Sequence, residues 1–198
     1  MNSSTRYPLL LAGAAAFAAA LLLAVPAGAT TQAFTILKAG DEIDVVDTSV
    51  LCLVSKGSSG RTGIVCFRAN AKGAIPGTYF AGIGQDGRVL AGIVDAKREP
   101  KITYQRTLAS AAGTTAATVR RKGTVGKVFR IFGSTVDCAI VRSGAGKGVP
   151  TVYCSKDDKV GPVPGTYAVV VSDQVAGVGK IQKTRETTMI WVKNQPKQ

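Results

Sequence analysis

Histidine is missing altogether from the 198 residues. Its absence excludes Ser-His-Asp and Cys-His nucleophilic machinery, His-ligated zinc or haem, and a histidine-based pH switch. Tryptophan occurs once, at Trp191, and the remaining aromatic residues are few and scattered. That is too sparse for a base-stacking platform, so no specific nucleic-acid partner is expected. Carboxylates are also scarce: 12 Asp and Glu face 25 Lys and Arg, for a formal charge of +13. The only dense acidic run is Asp41, Glu42, Asp44 and Asp47. It lacks the Asp-x-Asp-x-Asp-Gly pattern of a calcium loop. On a strand Asp44 and Asp47 point to opposite faces. These four residues are at most weak cation ligands, and neither a metal nor a cofactor is expected.

Long apolar runs are absent beyond the first 25 residues. Arg6 precedes a charge-free apolar stretch over residues 8–25, and Pro26-Ala27-Gly28-Ala29 follows with a small-x-small ending. This is the pattern of a secretory signal peptide, with cleavage expected after Ala29. An uncleaved anchor is the competing reading, because 18 apolar residues just suffice to span a bilayer. A membrane association is expected only through that segment. The chain is therefore read as secreted or displayed at the cell surface.

What is present is said twice. Val65-Cys66-Phe67 is followed by Pro76-Gly77-Thr78-Tyr79, and Tyr153-Cys154-Ser155 by Pro164-Gly165-Thr166-Tyr167, at equal distance. Each copy has an earlier cysteine, Cys52 or Cys138, in a matching apolar stretch. An internal repeat of this kind sets the architecture before any single residue is read. In an oxidising compartment four cysteines imply two disulfides, and three pairings exist. The repeat selects Cys52 with Cys66 and Cys138 with Cys154, one bridge in each copy. Geometry agrees: the midpoints fall at Ser59 and Gly146, inside turn-rich clusters, so each pair faces itself across a hairpin.

Both copies read as β structure, with β-branched runs and Gly- or Asp-containing turns at short intervals. The fold class expected is all-β: two tandem homologous small antiparallel sandwich- or barrel-like domains, with five or six strands and one disulfide each. The boundaries are 1–29 for the signal, 30–106 for copy 1, 107–125 for a linker rich in Ala, Thr and Gly with a basic end, and 126–198 for copy 2. The copies either stand apart or pack on each other around one shared core. Each has only about 75 residues, too few for a large core, and a bridge closing a loop of this size adds roughly 3 kcal/mol. Gly82-Ile83-Gly84-Gln85-Asp86-Gly87 matches a dinucleotide fingerprint by letter, but a strand follows it where a helix is required. It reads instead as a hairpin turn at Asp86-Gly87. Gly144-Ala145-Gly146-Lys147-Gly148 lacks the first glycine and the hydroxyl residue of a P-loop.

Basic residues remain. Arg120, Arg121 and Lys122 follow the linker, and Lys180, Lys183 and Arg185 cluster near the end. They are the candidates for binding anionic polymers such as wall polymer or polysaccharide. No catalytic residue set emerges. The functional expectation is a secreted, non-enzymatic binding or structural protein of the cell envelope. The alternatives are a subunit of a β-rich surface assembly that self-associates through strand edges, and a His-free, carboxylate-dependent hydrolase of wall polymer. Specific function is expected to map to the differences between the copies, the acidic start of the first and the basic tail of the second, and not to Pro-Gly-Thr-Tyr.

Overall fold

In a computed structural model the described residues are 34–57, 60–106, 119–143 and 148–197. The signal segment, residues 107–118 of the linker and the core of the P-loop-like run lie outside them. Among the described residues all regular structure is β, with no helix. The first half contributes β1 (Thr35–Leu37), β2 (Asp41–Val45), β3 (Val50–Lys56), β4 (Thr62–Asn70), β5 (Gly73–Ala74), β6 (Tyr79–Gly84), β7 (Val89–Val94) and β8 (Pro100–Arg106). The second half contributes β9 (Val119–Gly123), β10 (Val128–Ile131), β11 (Val136–Ser143), β12 (Val149–Asp158), β13 (Gly161–Pro162), β14 (Tyr167–Val171), β15 (Val175–Ile181) and β16 (Thr187–Asn194). Eight strands recur in the same order where the sequence suggests five or six. The extra ones are two- to five-residue pieces that periodicity cannot mark.

Both disulfides form as the repeat requires, and no described cysteine is free. Cys52 lies directly opposite Cys66 on β3 and β4, and Cys138 opposite Cys154 on β11 and β12. The glycines of the two Pro-Gly-Thr-Tyr turns, Gly77 and Gly165, have φ of 78° and 82°. Only glycine adopts that conformation without strain. The threonine hydroxyls then donate back to Ile75 O and Val163 O, at 2.7 and 2.6 Å. The Gly82–Gly87 motif is a hairpin between β6 and β7, as its strand context predicts.

Two sheets result. One runs β8-β7-β6-β4-β3-β2-β9 and the other β1-β10-β11-β12-β14-β15-β16, with β5 and β13 attached to β4 and β12. Each sheet thus takes one edge strand from the other half. β1 adds in parallel to β10, and β9 adds in parallel to β2. Val119–Gly123 is therefore a strand, although it falls inside the segment read as a linker. The halves do not close separate cores. Ile43, Val50, Cys52, Ile64, Cys66 and Ile83 from the first sheet share one apolar cluster with Ile131, Cys138, Ile140, Cys154, Val169 and Val178 from the second. Each fully buried aliphatic side chain there contributes about 1.5–3 kcal/mol. Alternate residues of β2 and β10 are buried against this interior, as the pleat of a strand requires.

Polar contacts also tie the halves. Asp173 accepts hydrogen bonds from the Ser49 backbone N–H and hydroxyl, and pairs with the buried Arg68 at 3.3 Å. Arg68 Nη1 in turn donates to Pro196 O at 2.9 Å.

Candidate functional site

The two charged clusters picked out from the sequence meet each other. Parallel pairing of β9 with β2 sets Arg120 beside Glu42 and Lys122 beside Asp44. Arg120 Nε lies 2.8 Å from Glu42 Oε2, and this hydrogen bond pushes the arginine pKa upward. Arg121 Nη2 lies 3.5 Å from Asp41 Oδ2, which also accepts from the Lys38 backbone N–H at 3.0 Å. Asp47 sits apart with φ of 63° in the turn after β2. The acidic start of the first half and the basic strand of the second are complementary halves of one pairing. No group of three or more potential ligands is arranged to hold a metal ion among the described residues.

Arg185 is likewise engaged. It makes a two-pronged pair with Asp158, at 2.9 and 3.0 Å, and donates to the carbonyls of Gly161 and Pro162. Hydrogen bonding from Arg185 holds the Asp158 carboxyl below its ordinary pKa. Of the six basic candidates, Arg120, Lys122, Lys180 and Lys183 present exposed side chains, and Arg120 among them is ion-paired. Lys180 stands directly across β14–β15 from Tyr167.

That neighbour belongs to a feature the sequence does not disclose. Tyr79, Tyr104, Tyr167 and Trp191 pack, half-buried, against the shared core. Tyr104 lies opposite Ala91 and Trp191 opposite Val178, both core residues, so their rings face the space between the sheets. β8 and β16 are the outermost strands of their sheets, and these rings therefore line the mouth of the sandwich. Trp191 meets Tyr79 edge-on at 6.3 Å between centroids and Tyr104 at 6.2 Å. Tyr79 and Tyr167 are the tyrosines of the repeated turn. Tyr104 and Trp191 occupy matching places on the last strand of each half. Arg106 Nε donates to the Tyr104 hydroxyl at 3.2 Å, and its guanidinium carbon sits 6.0 Å from the ring centre. The Tyr104 hydrogen bond, with a further contribution from Tyr167, raises the Arg106 pKa. Aromatic faces with a cation at their rim stack on flat, apolar ring faces while attracting negative charge.

A second constellation lies on the outer face of the sheet that runs from β1 to β16. Arg130 forms a two-pronged pair with Asp137, at 2.6 and 2.7 Å, and its guanidinium lies 3.9 Å over the Phe34 ring. Asp157 lies close by and accepts from the Ser155 hydroxyl at 2.6 Å. Burial, with Asp137 and Asp158 nearby, pushes Asp157 up to about 6. A carboxyl raised toward neutral pH is the kind of group that general acid–base chemistry uses. Asp137 stands between Val136 and Cys138 on β11, and Asp157 lies twenty residues further on at the end of β12, so no acidic run joins them in the sequence.

No protein-family model matches the chain, and neither the curated proteins nor the solved structures contain a significant match.

Proposed function

We propose that this chain is an exported, non-enzymatic binding protein of the cell envelope that holds an anionic wall polymer or polysaccharide at its aromatic mouth. The observation that carries this reading is the convergence of Tyr79, Tyr104, Tyr167 and Trp191 with the cations Arg106 and Lys180. Flat sugar faces suit the rings, and acidic substituents suit the cations. The two disulfides belong to an oxidising environment, in keeping with export. Two copies of one ancestral eight-strand unit account for the matching strand order. In this reading the basic strand β9 serves assembly and the mouth serves binding. Retention on cell walls and on an acidic polysaccharide, measured along a salt titration, tests it. Arg106→Ser with Lys180→Ser weakens retention, and Tyr104→Ser abolishes it. Retention indifferent to salt and to these changes sinks the proposal.

Two further readings each rest on a specific observation. β8 and β16 end their sheets without a partner strand among the described residues, and β16 carries one charge and exposes Ile190 and Val192. Such edges recruit strands, which supports a subunit of a surface assembly. A strict monomer at high concentration ends that reading. The raised pKa of Asp157 beside Asp137 supports a His-free hydrolase. Wall-polymer turnover untouched by Asp157→Asn and Asp137→Asn removes it.

A further inference from the structure

The edges at the other side of the sandwich are built alike in backbone but not in chemistry. Leu37 O accepts from Phe132 N–H just as Gly123 O accepts from Val46 N–H. β1 on β10 therefore superposes in register on β9 on β2. In that register Arg120 and Lys122 of one edge correspond to Phe34 and Ile36 of the other. The β9 edge is charged and ion-paired. The β1 edge exposes large apolar side chains instead: Phe34 is 40% exposed, Ile36 43% and Phe132 62%. Cations attend them. Lys38 Nζ sits 5.8 Å over the Phe132 ring, Arg130 covers Phe34, and Lys127 is exposed in the turn that leads into β10. A fold that can place paired charges at this position places aromatics and an isoleucine there on one side only.

We infer that the β1–β10 edge is a docking surface for a lipid bilayer carrying anionic headgroups. Rings and aliphatic side chains fringed by lysine are the composition that settles at a membrane interface, where apolar parts enter the headgroup boundary and ammoniums meet phosphate. Position agrees with composition. Only eight residues separate the apolar run at residues 8–25 from Phe34, so a chain whose leader lies in the bilayer has this edge within roughly 30 Å of it. The aromatic mouth lies at the far end of the same sheet, since β1 and β16 are its opposite edges. A lipid-docked molecule therefore presents its mouth away from the membrane.

The test is vesicle co-sedimentation of the disulfide-closed chain from Thr30 onward, which contains every described residue. Vesicles of phosphatidylcholine alone are compared with vesicles containing phosphatidylglycerol. Binding to the anionic vesicles is expected, falling by at least roughly tenfold in Phe34→Ser/Phe132→Ser, because interfacial affinity scales with apolar area buried. Phe132→Ser alone, in an exposed turn, gives a smaller loss in the same direction without risk to the core. Arg106→Ser/Lys180→Ser leaves lipid binding intact, which separates this inference from the polymer reading. Absence of binding to anionic vesicles overturns it. So does binding that survives loss of both rings, or a self-association that vanishes with the rings while vesicles are ignored.

Discussion

The side chain of Gln195 pairs with the backbone of Tyr79 as a neighbouring strand would. Its Oε1 accepts from Tyr79 N–H and its Nε2 donates to Tyr79 C=O, both at 2.8 Å. The residue is 7% exposed, and its own N–H donates to Gln174 O at 2.8 Å. One amide near the end of the second half thereby fixes the tyrosine that opens the first half's sixth strand. Gln195→Ala removes both bonds and leaves a backbone N–H and C=O unpaired. The expected loss is about 1–3 kcal/mol, read as a fall in melting temperature, with weaker polymer retention because Tyr79 loses its anchor. An unchanged melting temperature contradicts the bracing role.

The β2–β9 ion pairs join the two halves across one sheet edge. Glu42→Arg sets two arginines against one another across β2 and β9, and Arg120→Glu added to it restores opposite charge. Because Arg120 is largely exposed, the single change costs about 1 kcal/mol or less at low salt. The pair of changes recovers most of that, with a coupling of roughly 0.5 kcal/mol in a double-mutant cycle. High salt erases the difference. Strictly additive effects exclude a direct interaction.

Asp157 makes stability fall as pH rises. Its folded pKa of about 6 exceeds that of an unfolded aspartate, so the folded state binds the extra proton. Stability is fully present below about pH 4 and is lost as pH climbs through 6, by up to roughly 3 kcal/mol for a shift of this size. Asp157→Asn removes this dependence and raises stability at pH 7. Denaturation followed between pH 4 and pH 8 checks both statements, and a wild-type curve rising across that window contradicts the first.

Gly123 lies where β9 leaves the edge and approaches the core. A Cβ there presses on Ile140 Cδ1 and comes within 2.7 Å of Ile43 Cγ2. Gly123→Ala is expected to cost about 1–3 kcal/mol through overpacking. Ile140→Val deletes the offending methyl. The double variant should therefore be more stable than Gly123→Ala alone, a reversal that simple loss of core volume cannot produce.

These residues also show what could be read from sequence and what could not. The Cys52–Cys66 and Cys138–Cys154 bridges were legible because repeat and turn spacing are local. The turns at Gly77 and Gly165 were legible because positive φ leaves a signature in residue type. Val119-Arg120-Arg121-Lys122 was not legible as a strand. Its β character comes from an acidic partner some eighty residues away, and charge without alternation looks like a solvated run. The mouth was hidden for the same reason. Tyr79, Tyr104, Tyr167 and Trp191 are separated by up to 112 positions, and only the pairing of strands unites them. One signal was available. Tyr104 and Trp191 hold equivalent places on the last strands, and equivalent residues of a repeat meet where its copies face. The Pro-Gly-Thr-Tyr turn delivers a half-buried tyrosine against the shared core in each half, Tyr79 and Tyr167.

The exchanged edge strands tie the timing of folding to the order of synthesis. Until Gly123 has emerged, β2 has no neighbour on its outer side, and β1 must await β10, made almost a hundred residues later. Neither half can complete its sheet alone, so folding is expected to be slow, with the longest-range contacts formed last. The same interlock gives a nicked molecule unusual persistence. A protease cutting between Arg106 and Val119 would yield two fragments, each holding the strand that completes the other, and they would migrate as one body until denatured.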